Sequence, residues 1–129
     1  MEFKRRGKCV MPKIPFELTL KCRIATPMYE KNQKKYIEFE LIDPIKKRIE
    51  AVHNYTNDYI TKRFMNPLQG NILKVKIPFR YGRVTCKVGG INTIQEMQNG
   101  DTVEVNIEFC GVWEFGDFCG LSWKLTSIE

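Results

Sequence analysis

Residues 101–128 read DTVEVNIEFCGVWEFGDFCGLSWKLTSI. Val103, Val105, Ile107 and Phe109 alternate with Glu104, Asn106 and Glu108, the period-two pattern of a strand with one face in a core. Leu121, Trp123 and Leu125 alternate in the same way with Ser122, Lys124 and Thr126, which predicts a last strand from about Cys119 to Ile128. Between them, residues 111–118 (GVWEFGDF) read as a loop holding Trp113, Phe115 and Phe118. Two long strands this close in sequence predict an antiparallel hairpin that closes the fold.

Upstream, the same alternation recurs. Phe16, Leu18, Leu20, Cys22 and Ile24 oppose Glu17, Thr19, Lys21 and Arg23. Residues 25–35 are polar and read as a loop. Ile37, Phe39 and Leu41 then alternate with Tyr36, Glu38 and Glu40. After Gly70, Leu73, Val75, Ile77 and Phe79 oppose Lys74, Lys76 and Arg80, with a tight turn at Tyr81-Gly82 and a further strand through Val84, Cys86 and Val88. A connection opens at Gly89-Gly90 and ends at Asn99-Gly100. Residues 45–52 read as a short strand after an Asp43-Pro44 turn. Tyr55, Tyr59, Ile60 and Phe64 recur at helical spacing, which predicts one helix over 54–65, stopped by Asn66-Pro67. The expected fold is all-β with one mid-chain helix. It is an OB-like antiparallel barrel of five to seven strands with the helix between its third and fourth strands; a two-sheet sandwich is the competitor.

The chain has 129 residues, which suits one domain, placed at 14–129 behind a flexible basic arm at 1–13. Its net charge of +6 is divided unevenly along the chain. Residues 1–87 hold 20 of the 21 Lys and Arg and 8 of the 15 Asp and Glu; residues 88–129 hold Lys124 and the other seven acids. Such a split predicts a polyanion-binding portion and a closing hairpin with a different role. No apolar stretch is long enough for a membrane helix, and the start lacks the apolar core of a secretory signal. Five cysteines with no CxxC spacing read as reduced thiols in an intracellular protein, with one facultative Cys110–Cys119 bridge left open across the hairpin.

Catalytic signals are thin. His53 is the only histidine, and it reads as a capping or surface residue. No nucleophile elbow, phosphate-binding glycine loop or zinc spacing occurs. Glu38 and Glu40 read as partners of nearby cations, a small nuclease or nucleotide-processing enzyme using Glu38, Glu40 or Asp43 with a metal is a third reading, and Glu114 with Asp117 makes a poor cation site. The expectation is a non-enzyme with no cofactor and no metal. Binding signals are richer. Lys74, Lys76, Arg80, Arg83 and Lys87, with Tyr81, come from consecutive strands; Arg23, Lys34, Lys35 and Tyr36 come from the first two strands and their loop. Cations neutralise phosphates and aromatic faces stack on unpaired bases, so these ten residues are the candidate single-stranded nucleic-acid site. The plainer reading of the same cations is that they solubilise the surface and protect strand edges. Trp113, Phe115 and Phe118, beside Glu114 and Asp117, are the candidate protein contact.

The Gly100-Asp101 turn, the alternating strand to Phe109, the aromatic loop and the closing Gly120-Leu121-Ser122…Lys124-Leu125…Ile128 resemble the closing hairpin of OB-fold single-stranded DNA-binding proteins of phages and large DNA viruses, insect-virus replication proteins included. The resemblance covers residues 100–128. It implies a viral protein that coats single-stranded DNA without sequence specificity during replication or recombination. It also implies a homo-oligomer, replication proteins as partners, and location at sites of viral DNA replication, the host nucleus among them. RNA exposes the same bases and phosphates and is a second ligand. Phage members carry an acidic tail that this sequence lacks, so either the acidic 88–129 portion serves self-association or the chain is part of a longer protein. The alternative function is a non-catalytic interaction or assembly module of a virion or replication complex.

Overall fold

The computed structural model describes residues 1–90 and 93–129. In chain order its strands are β1 (Phe3–Arg6), β2 (Cys9–Pro12), β3 (Glu17–Lys31), β4 (Lys34–Glu40), β5 (Arg63–Met65), β6 (Leu68–Gln69), β7 (Ile72–Ile77), β8 (Phe79–Arg80), β9 (Arg83–Val84), β10 (Lys87–Val88), β11 (Thr102–Phe115) and β12 (Phe118–Ile128), with helix α1 at Asp43–Asn54. Five of these strands close a barrel. β3 pairs with β4, β4 with β7 and β11 with both β3 and β12, all antiparallel, and β7 meets β12 in parallel at Lys76 and Lys124. Numbered within the barrel, the order is 1-2-3-5-4 and back to 1, an OB-like closure that leaves these five strands no free edge.

Inward positions follow the alternation. Leu20, Ile24, Ile37, Phe39, Leu73, Val75, Ile77, Val105, Ile107, Leu125 and Trp123 are all buried. Phe109 and Trp123 face each other across β11 and β12 with ring centroids 4.9 Å apart. Such an aromatic pair adds about 0.5–1.5 kcal/mol beyond its burial.

The helix is displaced from its expected place. Residues 43–54 are helical, and 54–65 are a turn, a 3₁₀ turn at Asn57–Tyr59 and β5. Pro44 supplies the preset φ of a first helical turn, where its missing N–H costs nothing. Ile45, Ile49 and Val52 then recur at helical spacing, burying Ile49, Val52 and His53. The Tyr55–Phe64 spacing that suggested a helix is not a buried stripe, because Tyr55 and Phe64 are exposed. The helix therefore joins the second and third barrel strands. The connection between the third and fourth carries a 3₁₀ turn at Ile94–Glu96 that buries Ile94 and Met97. Residues 91 and 92 of that expected connection lie outside the described residues.

Two expected loops are strand. β3 runs on to Lys31, and β11 with β12 leave only Gly116-Asp117 between them. Each of the five tightest hairpins turns on two residues whose φ values suit the right-handed twist of the flanking strands. Asn32-Gln33 and Tyr81-Gly82 have positive φ at both positions; Gly7, Gly70 and Gly116 have it at the first. The N-terminus is likewise no flexible arm. β1 and β2 form a hairpin with Arg6 opposite Cys9, and β2 adds to β11 through Val10–Val112 and Cys9–Trp113. Phe3 packs edge-on against Tyr59 at 5.4 Å, and Val10 enters the core.

β11 serves both assemblies because it bends. Its register with β12 slips between Phe109 and Gly111, and Gly111 has φ +84°. A Cβ at Gly111 would lie 2.0 Å from the Val10 carbonyl oxygen. Gly111→Ala is expected to cost about 2–4 kcal/mol in urea unfolding, since strain and a backbone clash combine there. Gly7→Ala, where a Cβ meets nothing within 4 Å, should cost about 1 kcal/mol for its left-handed φ alone. Equal costs at the two positions would contradict the docking of β2 on the bend.

His53 is a core residue, 8% exposed, and not the expected surface or capping group. Its Nε2 accepts a hydrogen bond from Trp123 Nε1 at 2.8 Å, which requires an unprotonated Nε2. The Thr56 hydroxyl, also buried, donates to the His53 carbonyl at 2.6 Å. Burial pushes the His53 imidazole down from 6.5 to about 4. Between those values the unfolded chain binds the proton and the folded chain does not, so stability rises with pH there. The contribution is complete above pH 6.5, and about 3 kcal/mol of it is lost as pH falls to 4. Urea midpoints across this window should show that loss in the native chain and a flatter profile in His53→Gln.

Candidate nucleic-acid interface

Residues opposite each other on paired strands share a face, so the registers trace rows around the barrel's outside. One row runs Tyr29, Tyr36, Lys76, Lys124, Glu108, Glu17 across β3, β4, β7, β12, β11 and back to β3. The next runs Thr26, Glu38, Lys74, and Lys31 sits opposite Lys34 at the hairpin tip. The outer face of β4 and β7 thus gathers Lys31, Lys34, Lys74 and Lys76 around Tyr29 and Tyr36.

The two tyrosines lie 5.8 Å apart between ring centroids, and Lys74 Nζ sits 5.0 Å over the Tyr36 ring. Glu38, the acid within this patch, accepts a hydrogen bond from the Tyr29 hydroxyl. Burial and the carboxylate together raise the Tyr29 phenol above its ordinary value, so it stays a donor. Glu108 forms an ion pair with Lys124 at 3.1 Å. Among the described residues Lys31, Lys34, Lys74 and Lys76 join no ion pair. Partial burial, then the charges of Lys34 and Lys124, push the Lys76 ammonium below its ordinary value. A cation in that position gains from an incoming anion.

The ten residues singled out in the sequence separate into groups. Lys34, Tyr36, Lys74 and Lys76 share the outer face. Lys35 does not: it has the inward parity of Ile37 and reaches over the Phe79 ring at 5.3 Å, at the barrel's mouth. Arg80, Tyr81 and Arg83 belong to the separate β8–β9 hairpin, with Tyr81 95% exposed at its tip. Phe79 at the base of that hairpin links it to Lys35. Arg23 lies on the outer side but opposite Glu40. Lys87, on β10, borders a shallow depression that also holds Glu104 and Glu129, an unfavourable place for a phosphate. Tyr29, Lys31 and Lys124 were missed: the first two sat in a stretch read as loop, and Lys124 in a hairpin read as acidic.

Trp113, Phe115 and Phe118 are strand residues. Trp113 lies opposite Gly120, on the side of β12 that carries Ser122 and Lys124. Phe115 and Phe118 face each other beside the Gly116-Asp117 turn, 75% and 38% exposed, with Arg63 5.7 Å over the Phe118 ring. Glu114, on the opposite side, is held by Arg5 and Lys62 at 3.7 Å each. Cys119 is opposite Glu114, and Cys110 sits at the bend, so the two thiols do not face each other; all five cysteines are free. Among the described residues no cluster of three or more His, Cys, Asp or Glu is placed to hold a metal, and no helix is long and apolar enough to cross a membrane.

Comparison with protein-family models, curated proteins and solved structures returns no match to this chain.

Proposed function

We propose that this protein binds single-stranded nucleic acid without sequence specificity through the outer face of β4 and β7, coating single-stranded DNA as the viral proteins resembled by its closing hairpin do. The observation that carries the reading is the Lys31, Lys34, Lys74 and Lys76 cluster around Tyr29 and Tyr36, in which the one acid, Glu38, is already engaged by Tyr29. Lysines neutralise phosphates as point charges, and tyrosine faces accept any base. A sheet face with these groups suits unpaired bases, whereas reading a duplex groove calls for an element that enters it.

A second reading, an assembly module, draws on the exposed Phe64, Met65, Phe115 and Phe118 near the β11–β12 turn. Light scattering on nucleic-acid-free protein separates the two. A stable oligomer without oligonucleotide affinity favours assembly.

Fluorescence anisotropy with labelled oligothymidine across a salt series tests the binding reading. The log–log slope for single strands is about −0.7 per phosphate neutralised, so replacing Lys34, Lys74 and Lys76 with Ala should flatten it by about 2. Duplex of the same length should bind more weakly. No binding at low salt, or a slope unmoved by the triple change, overturns the assignment.

A further inference from the structure

The N-terminal hairpin does more than cover the barrel's flank. Its core-facing side is spent on packing: Phe3 on Tyr59, Val10 in the core, Arg5 on Glu114. The opposite side carries Lys4 and Arg6 on β1 and Cys9 and Met11 on β2, as the pairs Lys4–Met11 and Arg6–Cys9 show. Cys9 is in turn opposite Trp113, Trp113 opposite Gly120, and Gly120 opposite Met65. A continuous outward row therefore reads Arg6, Cys9, Trp113, Gly120, Met65. Among the described residues Lys4, Arg6 and Lys8 join no ion pair, whereas Arg5 and Lys13 are paired with Glu114 and Glu2.

Trp113 is fixed in this row by the missing side chain opposite it. A Cβ at Gly120 would lie 2.5 Å from Trp113 Cζ2 and 2.6 Å from Cε2, so the indole rests on the bare backbone of β12. It is half-buried there, unlike Trp123, which is 1% exposed and hydrogen-bonded to His53. Trp113 is thus a preset, partly open aromatic surface. Arg6 stands two strands away, about 10 Å at the usual strand spacing, within reach of a phosphate attached to a base on that ring. Along β12, four residues and about 13 Å separate Gly120 from Lys124, which belongs to the Tyr36–Lys76 row. A strand crossing both rows stays within the roughly 4–16 nucleotides that one such fold covers.

We propose that Trp113 and the outward side of the N-terminal hairpin form a second segment of the single-strand path, with a base stacked on Trp113 and the adjoining phosphates held by Lys4 and Arg6. This rests on the binding reading above and extends it onto strands outside the barrel. It also assigns Trp113 to nucleic acid and leaves Phe115 and Phe118, at the turn, for contact with protein.

The two tryptophans make the test direct. Oligothymidine is titrated into the full chain while tryptophan emission and the anisotropy of the labelled oligonucleotide are followed together. The expected result is quenching that saturates with binding in the native chain. In Trp113→Phe the quenching should vanish while a stacking face remains, and in Trp113→Ala affinity should fall roughly 5- to 150-fold, the range for loss of one stacked base. Replacing Lys4 and Arg6, both exposed, with Ala should flatten the salt slope by about 1.4 and preserve the quenching at saturation. Binding by anisotropy with unchanged emission, or a slope unaffected by the Lys4 and Arg6 changes, overturns this path and leaves the β4–β7 face standing. Absence of any anisotropy change in the native chain overturns both.

Discussion

The bend in β11 at Cys110-Gly111 is the constraint on which the rest depends. Below it, Thr102–Glu108 pair with β3 and complete the barrel wall; above it, Val112 and Trp113 pair with β2. A regular strand would keep a single course from end to end. The extra residue and the positive φ of Gly111 redirect the upper half, and the bare Cα of Gly111 lets the Val10 carbonyl approach. Because β12 follows β11 through the slip, Phe109 and Trp123 stay inward while Trp113 lands on the outward side with Ser122 and Lys124. One backbone irregularity therefore sets both the barrel's closure and the composition of its outer surface.

The same pairing redistributes charge. In sequence the last third is acidic and the first two-thirds basic. In space β11 lies between basic neighbours: Glu104 is opposite Lys21, Glu108 is paired with Lys124, and Glu114 is held by Arg5 and Lys62. Glu104 and Glu114 are thus placed against cations from distant parts of the chain and Glu108 against the one lysine of its own hairpin, so the expected division into a basic part and a separate acidic part does not survive folding. What remains is a subset of lysines without acidic partners, on β4, β7 and the end of β3. Exposed ion pairs are each worth only about 0–1 kcal/mol to stability, so the larger effect of this arrangement is on the surface potential.

The barrel was legible because its strands are half-buried, and half-burial writes itself as alternation. Leu18 to Ile24, Ile37 to Leu41, Leu73 to Ile77 and Val103 to Phe109 each carry that signature, and all form barrel walls. The helix was illegible because its stripe is narrow and its start resembles a turn: Asp43-Pro44 fits either, and only the packing of Ile49 and His53 decides. His53 misleads for a related reason, since a lone polar residue betrays burial only through its partner, Trp123, seventy residues away. The hairpin arms were lost where polar or glycine-bearing stretches looked like loops but needed only two turn residues each. Tyr29 and Lys31 disappeared with one of them, and two irregularities between Ile24 and Tyr29 break the period that would have exposed them.

The parity of a strand then decides which cations can act together. Lys34 and Lys35 are adjacent in sequence, and so equivalent to any count of charge, yet one faces outward beside Lys76 and the other reaches over Phe79 at the barrel's mouth. Arg6 and Arg5 divide in the same way, one outward and one against Glu114. A basic cluster in a β protein is consequently worth about half its formal charge on any one face, and the missing half is spent on packing or on neutralising acids. What single-stranded nucleic acid would meet here is the outward half alone: Lys4 and Arg6 on the added hairpin, Lys31 and Lys34 at the β3–β4 tip, Lys74 and Lys76 on β7. Trp113, Tyr29 and Tyr36 stand among these cations with the same outward parity. Such a surface follows from alternation imposed on a barrel closed by a bent strand, since the residues that pack inward select which of their neighbours must face out.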